Sequence, residues 1–188
     1  MSFKNPTISV ATIFFTIVLF SGFTPQAGIY KATDGKISFK SEAPHELINA
    51  ASNQMVGLIN AAKNTFAFEV NIRSFHGFNN PTQEIHFNEN YMETSKFPTA
   101  SFKGKIIEDA DLTKDGTYVV RAKGILSIHG VEQERIIKSD VVVSNGKINI
   151  KSNFTVLLSE HNIPIPRVVY QNLANEIKVS IQATLEDK

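Results

Sequence analysis

The chain has 188 residues, with 19 Lys and Arg against 18 Asp and Glu, for a formal net charge of +1. That balance, with no run of five like charges, argues against nucleic-acid binding, which needs a basic face to neutralise phosphates. There is no cysteine, so neither a disulfide framework nor a lipid-modified cysteine anchor can form. One sizeable core must hold the fold unaided, and the length suits that.

Residues 1–27 read as a secretory signal peptide. Lys4 supplies a positive start, and Ile8 to Phe20 is an uncharged, largely apolar run of 13 residues. A membrane span takes roughly 20 such residues, so the run suits a signal's apolar segment better than an anchor. Gln26-Ala27-Gly28 offers a cleavage point. The expectation is an exported protein, periplasmic or secreted, with no integral membrane span after cleavage and one domain over 28–188.

Beyond residue 28 the chain reads as strand almost throughout. Thr65-Phe66-Ala67-Phe68-Glu69-Val70-Asn71-Ile72 alternates, and so does the run from Asn175 to Gln182. Period-2 alternation places successive side chains on opposite faces of a pleated strand. One dry face and one wet face suit antiparallel sheets. Nine strands are expected, over 29–33, 36–41, 54–60, 65–72, 100–106, 117–128, 134–143, 147–158 and 176–185. Asp34-Gly35, Asp115-Gly116 and Asn145-Gly146 accept the positive φ of tight turns. Asn145-Gly146, between Val141-Val142-Val143 and Ile148-Asn149-Ile150, is the strongest hairpin signal. Short helical pieces are expected at 88–95, before Phe97-Pro98, and at 167–174. Periodicity does not choose between a sandwich and a barrel.

Catalytic and metal signals are weak. His45, His76, His86, His129 and His161 form no ligand cluster with metal-site spacing, and Glu84 and His86, read as sharing a strand face, are at most half of one. Ser159-Glu160-His161 are neighbours in sequence, and adjacent strand side chains point apart rather than converge in a triad. No nucleophile elbow, phosphate loop or dinucleotide fingerprint is present. No enzymatic activity, catalytic residue or metal is expected. A hydrolase or isomerase acting at a barrel mouth near His129 or His161 is the lesser alternative. Arg73-Ser74-Phe75-His76-Gly77-Phe78 reads as a loop or a lid.

Two blocks carry a family resemblance. One is Lys96-Phe97-Pro98-Thr99-Ala100-Ser101-Phe102. The other is Gly124-Ile125-Leu126-Ser127-Ile128-His129-Gly130-Val131. Together they resemble the YceI-like family of periplasmic lipid-binding proteins. Where that family opens with Asp-x-x-His-Ser, this chain has Asp34-Gly35-Lys36-Ile37-Ser38 and lacks the His-Ser pair. The resemblance implies an all-β fold, an antiparallel lipocalin-like β-barrel of about eight strands with one or two short helical segments. It also implies that the barrel encloses a polyisoprenoid or similar long-chain lipid, an isoprenoid quinone included.

In such a barrel one parity of each strand faces inward. Val120, Ala122, Gly124, Leu126 and Ile128 share a face, as do Ile137, Ser139, Val141 and Val143. The candidate lining is Phe66, Phe68, Val70, Phe102, Leu126, Ile128, Val141, Phe154, Val156 and Ile181. The alternation itself fits a packed core as well as a lipid tunnel. Ala122, Gly124 and Ser139 leave room inside, and the resemblance favours the tunnel. The expected partner is an apolar lipid. The alternative is a structural or stress-response β-protein with a filled core and no ligand. Exposed strand edges leave room for a homodimer that nothing in the sequence demands.

Overall fold

The computed structural model describes residues 28–187, so the expected signal peptide lies outside the described residues. Eight strands run β1 (Ile29–Glu42), β2 (Leu47–Asn60), β3 (Thr65–Asn71), β4 (Thr99–Ile106), β5 (Gly116–Ile128), β6 (Val131–Ser144), β7 (Lys147–Leu157) and β8 (Glu176–Asp187). They form a closed barrel in sequence order, and every neighbouring pair is antiparallel. Each strand therefore has two neighbours, although β6 and β7 pair only over residues 139–144 and 147–152 and part from each other towards the Val131 end.

Eight strands replace the expected nine because 29–33 and 36–41 are one strand. Tyr30 and Ala32 face inward at even positions, while Gly35, Ile37, Phe39 and Ser41 face the interior side at odd ones. The register with β2 shifts between Ala32 and Ile37. An irregularity of this kind slips the alternation by one residue and bends the strand. Asp34-Gly35 thus marks a bulge, not a hairpin. β2 changes parity in the same way, from Ala50 and Ser52 to Met55, Gly57 and Ile59. That switch hid its first half, so only 54–60 looked strand-like.

The two-residue turns behave as their sequences dictate. Asn145 and Gly146 have φ of 51° and 72°, and His129 and Gly130 have 52° and 72°. Two successive left-handed residues match the twist of the strands they join. Asp115-Gly116 is not such a turn; Gly116 opens β5 after a longer connection. The helix α1 (Pro81–His86) begins earlier than expected, and one wide turn (Phe87–Tyr91) continues it. Asn80 caps α1 by accepting from the Gln83 amide, and Pro81 sits at the first helical position, where its missing N–H costs nothing. The expected helix at 167–174 is only a 3-10 turn (Arg167–Val169).

The two ends of the barrel differ. At one end residues 107–115 cross the opening, and Leu112, Ile148 and Leu185 there have no exposed surface. This end is a packed floor. The other end carries residues 43–46, residues 72–98 with α1, the His129-Gly130 turn and residues 158–175. Among the described residues no helix is long and apolar enough to cross a membrane.

Candidate functional site

Between floor and mouth lies a cavity of about 320 Å³, within the size range of small-molecule sites. Its wall is built from the inward parity of all eight strands. Phe66, Phe68, Val70, Phe102, Leu126, Ile128, Val141, Phe154, Val156 and Ile181 all line it. Phe68, Phe102, Ile128, Phe154 and Ile181 stay partly accessible although they point inward. A filled core would have buried them, so the interior is hollow at their level. The Phe66 and Phe102 rings are 4.9 Å apart, and Phe68 lies beside Phe66 at 6.3 Å.

The mouth holds a second aromatic group that alternation did not reveal. Phe39 stacks on Phe87 at 5.3 Å with a 20° interplanar angle, and Phe78 and Phe75 approach Phe87 at 5.1 and 6.0 Å. All four line the cavity. Phe39 shares its inward parity with Ile37 and Ser41 in the second half of β1. The others sit in the irregular stretch 72–98, where no period exists to read. Their density in the sequence was the available signal, and residues 73–78 do cover the mouth.

Glu46, Gln83, His86 and Asn172 are polar lining residues near the mouth, and Glu69 and Ser101, opposite each other on β3 and β4, add two more. The Glu46 carboxylate accepts from the Gln83 side-chain amide and, at 3.2 Å, from the Asn172 amide. This ties the β1–β2 loop to α1 and to the segment before β8. Tyr91 also lines the mouth, and burial pushes its hydroxyl above the usual tyrosine range. Deeper in, Ser139 and Ser152 are the polar exceptions on β6 and β7.

His86 lines the cavity, whereas His129 and His161 are held by backbone carbonyls in the wall. His129 donates Nδ1–H to the His161 carbonyl at 3.1 Å, and its Nε2 meets the Glu93 carboxylate at 3.1 Å. It sits buried in the β5–β6 turn, against Phe97 at 4.6 Å. His161 has no exposed surface, and burial pushes its imidazole below the usual histidine range. Its Nδ1–H donates to the Val131 carbonyl at 3.2 Å. Neither ring lines the cavity. Ser159 and Glu160 face away from His161, towards Asn175 and Arg135. Glu84 and His86 lie on α1 rather than on a strand, and Glu84 pairs with His76 at 2.9 Å.

Solved structures with this barrel are distant in sequence. A polyisoprenoid binding domain from Saccharophagus degradans shares 14% identity at a TM-score of 0.71, over 86% of this chain and 99% of that one. BcnA of Burkholderia cenocepacia shares 14% at a TM-score of 0.65, over 80% and 95%. A YCEI protein of Campylobacter jejuni shares 14% at 0.54, over 100% and 92%. No curated protein matches the chain. At such identities the likeness establishes the fold alone. A family model carries the assignment further, since the YceI-like domain matches residues 7–185. The two sequence blocks, the eight-stranded closed barrel and that match agree, and the chain belongs to the YceI-like domain family.

Proposed function

We propose that the protein binds and carries a long apolar lipid of polyisoprenoid type, an isoprenoid quinone included, and performs no reaction on it. The hollow apolar lumen with a packed floor is the observation that carries this reading. Burying apolar surface yields about 25 cal/mol per Å², so a chain of isoprene units binds in a dry tube with few polar contacts. One structural relative is described as a polyisoprenoid binding domain. The signal-like residues 1–27 support work in the periplasm or outside the cell, where a water-insoluble chain needs a protein shell.

Mass spectrometry of organic extracts from the purified protein, beside a denatured control, tests the proposal. A stoichiometric prenyl lipid is the expected result. An empty extract, repeated after incubation with membrane lipids, overturns it in favour of a ligand-free structural barrel.

A further inference from the structure

The inner wall carries two serines that a pure hydrocarbon does not need. Ser139 and Ser152 face each other across β6 and β7. Their hydroxyl oxygens are 2.6 Å apart, and both line the cavity. Their inward neighbours on the same strands are Ile137, Val141, Ile150 and Phe154, all apolar. On the flanking strands Val120 lies opposite Ser139, and Ile181 lies opposite Ser152. The pair stands one inward position above Val141 and Ile150, the lining residues of β6 and β7 closest to their turn, and far along the chain fold from the Glu46 cluster at the mouth.

Two hydroxyls own two hydrogens, and their mutual bond uses one. Each hydroxyl has one donor and two acceptor positions. Among the described residues, no other hydrogen bond engages either oxygen. One O–H donor is therefore left over at the apolar wall, where an unpaired polar group is costly. The barrel's other buried serine pair shows the contrast. Ser52 and Ser74 also meet at 2.6 Å, but Ser74 donates onward to the Asn71 carbonyl and Ser52 accepts from the Gln54 amide. That pair is closed and does not line the cavity. The Ser139–Ser152 pair is open and does.

We infer that Ser139 and Ser152 form a hydrogen-bonding site for an acceptor oxygen on the bound lipid. The ligand class this selects is a chain with a carbonyl, quinone or hydroxyl oxygen at one end. Because the pair lies near the floor, the ligand enters oxygen end first. Its hydrocarbon tail then trails past Phe102 and Phe68 to the aromatic mouth. The inference rests on the carrier reading and adds depth, direction and ligand chemistry to it.

The test compares two probes, a prenyl ketone and the hydrocarbon of the same chain with CH₂ in place of the carbonyl. Each competes with a fluorescent fatty probe for wild-type protein and for the S139A/S152A double variant. The ratio of ketone to hydrocarbon affinity is expected to be about tenfold higher on the wild type than on the double variant, the effect of one good buried hydrogen bond. The double variant, whose wall is more apolar at this level, binds the hydrocarbon at least as tightly as the wild type does. Isotope-edited infrared spectra of the carbonyl-labelled ketone on the wild type give a second readout that needs no variant. The C=O stretch should fall below its frequency in hexane. The same ratio on both proteins, or an unshifted stretch, overturns the inference and leaves the carrier reading intact. Failure of both probes to bind overturns the carrier reading itself.

Discussion

Gly104 and Gly124 face each other across β4 and β5. A Cβ on Gly124 would stand 2.3 Å from the Lys103 carbonyl oxygen, and one on Gly104 would stand 2.1 Å from that of Lys123. Backbone cannot swing aside as a flexible side chain can, so these two glycines let the strands approach at a tight point of the wall. Gly146 is different. It has a φ of 72° and open space around its Cα. Gly124→Ala should cost about 3 kcal/mol, at the upper end for overpacking. Gly146→Ala should cost about 1–2 kcal/mol, the penalty of the left-handed region alone. Urea unfolding of both variants checks the order, and equal costs would remove the close-approach argument. Gly124 was legible as part of a family block, but its reason was not. Its partner Gly104 is set by register, which no single strand reveals. Ser139 was likewise legible as a small inward residue, while its bond to Ser152 depends on how β6 meets β7.

At the scale of elements, the strands with clean alternation could be read directly. Those with bulges could not, because β1 and β2 each change inward parity along their length. The mouth is the least legible part. Its segment 72–98 is held by side chains whose partners lie elsewhere in the chain. Glu93 is central to that attachment. It bonds Lys96 at 2.6 Å and reaches His129 in the β5–β6 turn at 3.1 Å. Lys96 first, and His129 second, hold the Glu93 carboxyl below the usual carboxylate range. A depressed folded-state value means that the attachment is complete above pH 4.5, the ordinary glutamate value, and is lost as pH falls through the lowered one. Partly exposed ion pairs are modest, so Glu93→Gln should speed release of a bound fluorescent fatty probe by only about two- to fivefold at neutral pH. Stopped-flow release measured against pH is the check. The wild type should accelerate below pH 4.5, and the variant should lack that Glu93-dependent step. Identical profiles would show that this contact does not hold the mouth.

The whole molecule is a tube with one sealed end, and the sequence conceals that asymmetry. Inward residues alternate in the same way whether they meet one another or face a void. β8 contains both cases on one face. Leu185 sits in the floor with no exposed surface, and Ile181, four residues earlier, lines the lumen and is only half-buried. Truncating Leu185 opens a new hole in packed surroundings, so Leu185→Ala should cost about 3 kcal/mol of stability. Ile181 already borders empty space, so Ile181→Ala removes fewer contacts and should cost about 1 kcal/mol. Ligand binding should show the reverse ranking. The methylenes lost at position 181 are ones a bound chain would cover, and about 1–2 kcal/mol of affinity should go with them. Leu185 does not line the cavity, so a folded Leu185→Ala protein should bind a prenyl probe as the wild type does. Denaturant unfolding and probe titration on the same two samples measure both rankings. If Ile181→Ala proved the more destabilising and left binding unchanged, the level of the barrel around Ile181 would have to be packed rather than hollow. A lipid could then not reach the serine pair, since Ser152 stands directly opposite Ile181 across β7 and β8. The crossed pattern of stability and affinity along this single strand therefore tests the hollow lumen independently of which lipid fills it.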